Sequence, residues 1–446
     1  MVLDQRAALM PTDSFVRGFR ESSPYIHRFR GQTFVINFGG DALADGSIRS
    51  LAHDIALLNS LGINVVLVHG AGPQIDAALL AHQLRTERVN GKRVTDLAAM
   101  QVLREAVGGA RLVVEAALSE GQMGSPMAHA GLQVVSGNFI IAQPLGVLEG
   151  VDYQYTGQVR RVATEAIQRH LAADEIVLLS PIGVSPTGTL FNIRAEEVAI
   201  AAAVALHAAK LVFFMDEDGV TDAQGQLIRQ ITLSELPQLL ERDDIQGGLR
   251  EHLHSAAIAC TGTVDRVHLI SRQVDGALLR ELFTRDGLGT LISQDPFEHL
   301  RTATVADIPG ILDLIRPMEE RGVLVRRSRE RLEMEANRFV VMERDGKIIG
   351  CAAMYPYPDQ GMAEVACLAV DGHYRRQGRG EQLLDYCLEQ ARELKLEQIF
   401  VLSTQTTHWF LERGFHHGTL EDLPVPRQHL YNFQRRSQVF FRSLIV

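Results

Sequence analysis

Residues 364–384 read EVACLAVDGHYRRQGRGEQLL, and this stretch is the most informative part of the chain. An apolar run leads into the segment 375–380, RRQGRG, and the apolar spacing that follows predicts a helix. Glycines let a backbone approach an anion, and the start of a helix offers N–H groups with a favourable dipole. The stretch therefore predicts a cradle for a pyrophosphate group.

Length and charge narrow the class of protein. At 446 residues the chain is long enough for two or three domains. Its net charge of −10 argues against nucleic-acid binding, which needs a basic surface. The longest apolar run, Val198–Leu206, is too short to span a bilayer, and Asp4 and Arg6 interrupt any apolar start. We therefore expect a cytoplasmic protein with no membrane or nucleic-acid partner.

The cysteines give no sign of a metal or disulfide framework. They are Cys260, Cys351, Cys367 and Cys387, and no two have Cys-x-x-Cys spacing. Scattered thiols of this kind are typical of buried cysteines in a reducing compartment. We expect no metal.

The first ~290 residues alternate β-rich runs with helical patterns, which favours a parallel α/β sheet. Predicted strands cover Thr33–Phe38, Ile63–Val68, Glu175–Leu179 and Lys210–Met215. Ligands of such sheets bind at the carboxyl ends of the strands. The composition changes near residue 295, where we predict a domain boundary. Beyond it, Asp345-Gly346 between two β-rich runs predicts a hairpin.

The C-terminal part resembles the GCN5-related N-acetyltransferase family over residues 300–446. Arg375-x-x-Gly378-x-Gly380 looks like the acetyl-CoA signature of that family, and residues 409–415, WFLERGF, match its closing aromatic segment. The resemblance implies acetyl-CoA as co-substrate. The residues that it assigns to the cofactor are Leu368, Ala369, Val370, Arg375, Arg376, Gln377, Gly378, Arg379 and Gly380.

Acetyl transfer to an amine needs a base for the ammonium and an acid for the departing sulfur. Glu364 lies on the strand before the cradle and shares a face with Val370 if that strand is regular. It is the natural base, with a solvated edge glutamate as the alternative. Ser403 follows the next apolar strand and is the candidate acid, with Thr404 as an alternative. A simple turn role for Ser403 stays open.

An acidic substrate needs positive charge in its pocket. Arg327 and Arg436 lie in two separate arginine-containing segments, and arginine binds carboxylates with two-pronged geometry. Taken singly, each arginine is more commonly an exposed surface charge.

Residues 20–293 resemble the N-acetylglutamate kinases of the amino-acid kinase family. The matching motifs include VINFGG at 35–40, HGAGPQI at 69–75 and GKRVTD at 91–96. Two departures imply lost kinase activity. Asn37 stands where the kinases have a catalytic lysine, and Glu196 stands where they have an aspartate. Phosphoryl transfer depends on fixed positive charge, which an amide cannot supply.

Residues 278–290 resemble the arginine-sensing segment of feedback-inhibited kinases of this family. The resemblance implies that Glu281 pairs with the guanidinium of arginine, that Gly287 makes backbone contacts and that Tyr25 packs on the ligand. Lys210 and His268 fall at matching positions. For Tyr25 and His268, core packing is the alternative reading.

The combination of both parts resembles the classical bacterial N-acetylglutamate synthases. It implies an α/β protein with an amino-acid kinase-like regulatory domain, 1–293, and an N-acetyltransferase catalytic domain, 294–446. The implied reaction makes N-acetyl-L-glutamate from acetyl-CoA and L-glutamate, the first step of arginine biosynthesis, with L-arginine as feedback inhibitor. The implied substrate residues are Arg327, Arg436 and Cys367, and the implied assembly is a homohexamer.

The residues leave two alternative functions open and disfavour one alternative mechanism. A working kinase and a non-catalytic arginine sensor remain alternative functions. Covalent transfer through Cys367 is disfavoured, because the nearby Glu364 is expected to raise the pKa of the thiol by charge repulsion.

Overall fold

The structure is a computed structural model that describes residues 12–120, 127–294, 298–344, 346–375, 378–405 and 407–444. The chain forms two compact units, Met1–Pro296 and Phe297–Val446. None of the helices in these described ranges combines the length and the apolar character that a membrane span requires.

The first unit contains sixteen described strands and ten described helices. The strands are β1 (Thr33–Phe38), β2 (Asn64–His69), β3 (Arg88–Val89), β4 (Lys92–Arg93), β5 (Val134–Ser136), β6 (Ile140–Pro144), β7 (Val147–Leu148), β8 (Val151–Asp152), β9 (Gly157–Val162), β10 (Ile176–Leu179), β11 (Ile182–Val184), β12 (Leu190–Asn192), β13 (Lys210–Met215), β14 (Gln230–Thr232), β15 (Arg266–Ser271) and β16 (Thr290–Ser293). The helices are α1 (Thr12–Phe29), α2 (Asp41–Ala44), α3 (Ile48–Ser60), α4 (Gly72–Ala81), α5 (Leu97–Leu118), α6 (Thr164–Leu171), α7 (Ala195–Ala205), α8 (Leu236–Leu240), α9 (Gly247–Gly262) and α10 (Ala277–Phe283).

An eight-stranded sheet forms the centre of the first unit, in the order β14-β16-β15-β13-β1-β2-β10-β5. All its neighbours run parallel except β15 and β16. Alternate residues of the strands point to opposite faces, so Val35 and Phe34 belong to different cores. Helices α7 and α9 cover one core, and α3 and α10 cover the other. The predicted parallel-rich sheet with helices on both faces is confirmed.

The second unit is built on one seven-stranded sheet in the order β17-β18-β19-β20-β21-β23-β22. Its strands are β17 (Glu298–Thr302), β18 (Phe339–Arg344), β19 (Lys347–Tyr357), β20 (Met362–Val370), β21 (Gln398–Ser403), β22 (His416–Gly418) and β23 (Gln438–Ser443). Its helices are α11 (Ile308–Glu320), α12 (Arg329–Met334), α13 (Arg379–Glu393), α14 (Thr407–Leu411) and α15 (Val425–His429). The sheet is antiparallel except for the pair β20 and β21. One face packs on α13 and the other on α11.

All four cysteines are buried free thiols, as the spacing predicts. The predicted strands Thr33–Phe38 and Lys210–Met215 have the observed bounds of β1 and β13. The predicted hairpin joins β18 to β19, with its Gly346 at a φ of 74°.

Asp54 on α3 is a buried acid in the core of the first unit. Its side chain lines a small cavity with Ser47 and Asp275, and it is 8% exposed. Burial, reinforced by the charge of Asp275, raises the pKa of Asp54 to about 7 from an ordinary value of 3.8. Because the unfolded chain ionises at the lower value, folding becomes less favourable as pH rises from about 4 to about 7.

We expect Asp54→Asn to raise the free energy of unfolding at pH 8, by at most about 4 kcal/mol, and to change it little near pH 4. Urea unfolding at the two pH values measures this difference. Asp218→Asn is the control, since Asp218 is an exposed acid of the same unit. An equal effect of Asp54→Asn at both pH values would contradict the prediction.

Candidate functional site

Strands β20 and β21 run together for three residue pairs and then separate. Met362, Ala363 and Glu364 pair in parallel with residues 398–400 of β21. Beyond this point β20 continues to Val370, while β21 continues to Ser403 and pairs only with β23 in the described part of the sheet. The separation opens a cleft in the sheet immediately after Glu364.

A β-bulge interrupts β20 inside this cleft. Ala369 pairs with Cys351 and Ala366 with Ala353, so residues 367 and 368 stand opposite a single residue of β19. Cys367 takes a φ of 54°, a conformation that side chains other than glycine rarely adopt. The extra residue reverses the alternation of side chains along the strand.

The bulge corrects one expectation from the sequence. Val365 and Val370 pack in the same core, whereas Glu364 is paired with Tyr355, which packs on the opposite core. Glu364 and Val370 therefore do not share a face. The predicted shared face required a regular strand, and the register shift removes that condition.

Glu364 is buried, only 7% exposed, and is held by Arg427 of α15. Arg427 donates from Nε to Oε2 at 2.6 Å and from Nη2 to Oε1 at 3.0 Å. Burial lowers the pKa of Arg427, but the hydrogen bonds with Glu364 and the negative charge of Glu364 raise the pKa of Arg427 overall. The pKa of Tyr357 is raised by burial and by the same carboxylate. Sequence reasoning missed Arg427, because no local spacing relates it to a strand 63 residues earlier.

Ser403 ends β21 and is buried, three residues beyond Phe400, the last residue of β21 paired with β20. It lies opposite Gln438 of β23. The structure thus puts the hydroxyl at the end of the strand that forms the second wall of the cleft.

Arg327 is half-buried near the bulge. Its guanidinium lies 6.0 Å from the centre of the Phe339 ring. Burial lowers the pKa of Arg327, but Cys367 and Tyr355 raise it overall. The hydroxyl of Tyr355 in turn donates to Glu335 at 2.7 Å. Arg327 and Cys367, both assigned to the substrate from the sequence, are therefore neighbours.

The environment of Cys367 differs from the expectation. The neighbouring side chain of Cys351 lowers the pKa of Cys367, burial opposes this effect, and the charge of Arg327 lowers the pKa further. Glu319, not Glu364, is the carboxylate that opposes this shift. The expected rise in the pKa of Cys367 is wrong, because the sequence does not reveal that Cys351 and Arg327 surround this thiol.

Arg436, the second arginine expected to bind the substrate, is exposed and has a φ of 50°. Within the described ranges it makes no hydrogen bond or ion pair. Its neighbour Arg435 donates to the carbonyls of Gly322 at 3.2 Å and Val323 at 2.7 Å. Burial and then the charge of Arg327 lower the pKa of Arg435.

Positive charge therefore accumulates around the cleft. Arg327 acts electrostatically on Arg435 and also on Arg427. The guanidinium of Arg327 is thus close enough to influence the other two, while Glu364 is the carboxylate paired with Arg427. This arrangement suits a ligand that brings carboxylates.

The cradle precedes α13. Gly378 caps that helix with a φ of 75°, so the position favours glycine. Arg375 is exposed and donates from Nε to the carbonyl of Val370 at 3.3 Å. Arg379 is buried, and Glu298 accepts hydrogen bonds from its guanidinium at 2.8 and 2.6 Å. We infer that Arg379 can contribute its backbone N–H to the cradle but not its charge.

Two residues of the cradle that the sequence assigns to the cofactor, Arg376 and Gln377, lie outside the described residues. Gly380 is described, and a side chain at that position would meet Trp409 at 3.4 Å. Arg413 stacks over the Trp409 ring at 4.1 Å. The aromatic segment thus lies against the start of α13.

In the first unit, the residues that were predicted to bind arginine form one connected cluster. Lys210 donates to Nε2 of His268 at 2.9 Å, and Nδ1 of His268 contacts Oε1 of Glu281 at 2.6 Å. Lys210 also lies 5.1 Å from the ring centre of Phe29, which packs on Tyr25 at 5.9 Å. The sequence alone could not show that these separated positions meet.

Glu281 is only 7% exposed and is bound by its own segment. Its Oε2 accepts hydrogen bonds from the backbone of Leu288 at 2.6 Å and Gly289 at 2.9 Å. Burial alone would raise its pKa, but His268 and these N–H groups hold the pKa of Glu281 at about 2. Burial and Lys210 lower the pKa of His268 to about 4, so the ring is neutral at pH 7. Gly287 has a φ of 60°, and a side chain at this position would collide with the carboxylate of Glu281.

The kinase-like motifs line a cavity of about 410 Å³ at the carboxyl ends of β1 and β2. Asn37 is buried near this edge and donates to the carbonyl of Val68 at 3.1 Å. The arginines of the cavity are paired, Arg93 with Asp76 and Arg194 with Glu196 and Glu251. Acidic partners thus offset the positive charge that a transferred phosphoryl group would require.

Comparison with protein families gives two matches. Residues 32–271 match the amino acid kinase family, and residues 308–415 match the acetyltransferase (GNAT) family.

Two relatives match nearly the whole chain. A protein from Azotobacter vinelandii named amino-acid acetyltransferase is 49% identical over 432 residues, which cover 96% of this chain and 99% of the relative. A protein of the same name from Pseudomonas aeruginosa is 48% identical over the same shares.

Solved structures agree with these relatives. The N-acetylglutamate synthase from Neisseria gonorrhoeae, in complex with coenzyme A and L-arginine, matches with a TM-score of 0.88 at 38% identity, over 97% of this chain and all of the other. The same enzyme with coenzyme A and N-acetyl-glutamate matches over the same shares with a TM-score of 0.62. The predicted pairing of a kinase-like fold with an acetyltransferase fold is thereby confirmed.

Proposed function

The chain belongs to the amino-acid acetyltransferase family, and from this membership we propose that it makes N-acetyl-L-glutamate from acetyl-CoA and L-glutamate under inhibition by L-arginine. The observation that carries the proposal is the position of Glu364. It is a buried carboxylate at the point where β20 and β21 part, beside several arginines and on the strand that leads to the glycine cradle.

We assign the proton-transfer roles as follows. Glu364, through a water, accepts a proton from the substrate ammonium, and the free amine attacks the thioester carbonyl. Backbone N–H groups of Leu368–Val370 polarise that carbonyl, which is consistent with the open edge of β20. As the C–N bond forms and the C–S bond breaks, Ser403 gives a proton to the sulfur, and the second proton that the attacking nitrogen loses returns to Ser403. We propose direct transfer, because Cys367 is packed in the core beside the sheet.

Arg327 and Arg436 are proposed to bind the carboxylates of L-glutamate, with Cys367 beside them. The half-buried position of Arg327 next to Cys367 supports the proposed role of Arg327 in substrate binding. Leu368, Ala369, Val370 and the segment Arg375–Gly380 are proposed to hold acetyl-CoA. Exposed Arg375 supplies charge to the pyrophosphate, and the start of α13 supplies N–H groups.

We propose that the first unit is a regulatory domain without kinase activity. Asn37 supplies no charge where phosphoryl transfer needs it, and the nearby guanidiniums are already paired. Arginine would bind at Tyr25, Lys210, His268, Glu281 and Gly287. A cytoplasmic hexamer completes the proposal. It is supported by α1, which exposes Phe15 and Phe19 as a stacked pair 6.2 Å apart, a surface suited to another copy.

We expect the purified protein to release CoA from acetyl-CoA only when L-glutamate is present. Glu364→Gln should lower kcat by about 10²- to 10⁴-fold, because the amide cannot accept the ammonium proton. A thiol-release assay measures both. Absence of glutamate-dependent release from folded wild-type protein would refute the proposed reaction, and an unchanged rate in Glu364→Gln would refute the base.

Gly378→Ala should weaken CoA binding about tenfold, because an alanine at this positive φ costs roughly 1–2 kcal/mol and distorts the start of α13. Calorimetric titration with CoA measures the dissociation constant. Gly346→Ala is a matched control, since Gly346 has a φ of 74° and lies in the hairpin between β18 and β19. Equal weakening in both variants would contradict a specific role for Gly378.

Glu281→Gln should raise the arginine concentration needed for half-inhibition by tenfold or more, because the guanidinium loses its charged partner. Its matched control is Glu235→Gln. Glu235 also accepts a backbone N–H, from Thr232 at 2.7 Å, but lies outside the arginine cluster. Inhibition curves with L-arginine measure the change. If both variants respond to arginine like the wild type, Glu281 does not bind it.

A further inference from the structure

We propose that the substrate itself releases the catalytic base: a carboxylate of L-glutamate takes Arg427 from Glu364, and Glu364 is then free to receive the ammonium proton. This inference rests on the proposed function and adds a residue and a control step to it. Arg427 becomes a substrate-binding residue that also determines whether the base is available.

The contact between the two side chains carries the inference. Arg427 uses Nε and Nη2, one side of its planar fork, to bind both oxygens of Glu364 at 2.6 and 3.0 Å. Its Nη1 donates to the carbonyl of Leu430 at 3.2 Å. The side of the guanidinium that binds a carboxylate with two hydrogen bonds is therefore already occupied.

A carboxylate in this arrangement is poorly prepared to act as a base. The guanidinium neutralises its charge and restrains both oxygens in one plane, so an approaching ammonium is less strongly attracted. Glu364 is also buried among Arg427 and Tyr357, which restricts other orientations. Some group must take over Arg427 before Glu364 can bind the ammonium or its water.

L-Glutamate has the chemistry that this exchange needs. It brings two carboxylates and one ammonium, so one carboxylate can replace Glu364 on Arg427 while the ammonium replaces Arg427 on Glu364. Two ion pairs then replace one, and no buried charge is left without a partner. The positive surroundings from Arg327 and Arg435 favour entry of the acidic substrate.

The exchange would also provide specificity. A neutral amino acid carries only its α-carboxylate, so with that group bound elsewhere in the pocket it has none left for Arg427, and Glu364 stays paired. The enzyme then discriminates against a neutral amino acid in two ways: Glu364 stays paired with Arg427, and the contacts of the second carboxylate are lost. The arginine that couples recognition to reaction lies on α15, a five-residue helix.

A binding measurement separates this exchange from a purely structural ion pair. Glu364→Gln removes the competing carboxylate, so the proposal expects glutarate, a dicarboxylate without the ammonium that would need Glu364, to bind about five- to tenfold more tightly in the presence of CoA, measured by calorimetry. Glu343→Gln is the matched control. Glu343 also accepts hydrogen bonds from an arginine fork, from Arg301 at 3.0 and 2.7 Å, away from the cleft. Unchanged or weaker glutarate binding by Glu364→Gln would overturn the proposal.

Kinetics with two substrates complete the test. Arg427→Gln should raise the KM for L-glutamate at least tenfold and reduce the preference for L-glutamate over L-glutamine by a similar factor. Arg427→Lys should restore part of both. Arg321→Gln serves as control, because Arg321 is exposed and donates to the backbone of Pro317. An equal loss of kcat with both substrates, at unchanged KM, would mean that Arg427 only supports the fold.

The two hypotheses fail in different ways. If the wild-type protein releases no CoA with L-glutamate, the proposed function is wrong. If it does so, but Glu364→Gln does not tighten glutarate binding or Arg427→Gln does not alter the substrate preference, the reaction stands and the exchange is wrong. Circular dichroism of each variant identifies those that do not fold.

Discussion

The second unit depends on one constraint of strand pairing, which is that β20 and β21 stay parallel neighbours only as far as Glu364 and Phe400. Each strand remains anchored on its other side, β20 to β19 and β21 to β23, so the sheet stays intact while its middle opens. The bulge at Cys367 adds a residue within the opened stretch and turns the following side chains over. The backbone groups of β20 and the carboxylate of Glu364 thereby lie beside one cleft without loss of the surrounding core.

Buried carboxylates in the two units are stabilised by related means. Glu364 is held by the two-pronged hydrogen bonds of Arg427, and Glu281 is held by His268 and two backbone N–H groups. In each case internal donors offset the desolvation of the charge. A ligand with a guanidinium, or with a carboxylate and an ammonium, can exchange with such partners because it supplies matching charges. Both proposed sites thus combine stability with the capacity to respond to a ligand.

The first unit shows how a kinase-like fold can persist without the charge that its relatives use. Asn37 is buried at the end of β1, and its amide donates to the carbonyl of Val68 on the neighbouring strand. The side chain is therefore satisfied within the sheet and supplies no ammonium at this position. The arginines around that cavity are paired with carboxylates of the same unit. The fold keeps its sheet and its cores, which rest on apolar alternation and not on the catalytic charge.

The sequence by itself determined the class of fold, the two halves and the residue types of the sites, because apolar periodicity, glycine spacing and family motifs are local properties of the chain. β1 and β13 have the predicted bounds, and α13 begins in the glycine cradle, where the sequence predicts a helix. Only the tertiary structure decided which distant side chains meet. The bulge at Cys367, the pairing of Arg427 with Glu364, and the contact of Lys210 with His268 join residues that are far apart in sequence or depend on a register shift. Such contacts follow from how strands and helices pack in three dimensions, and no local pattern specifies them.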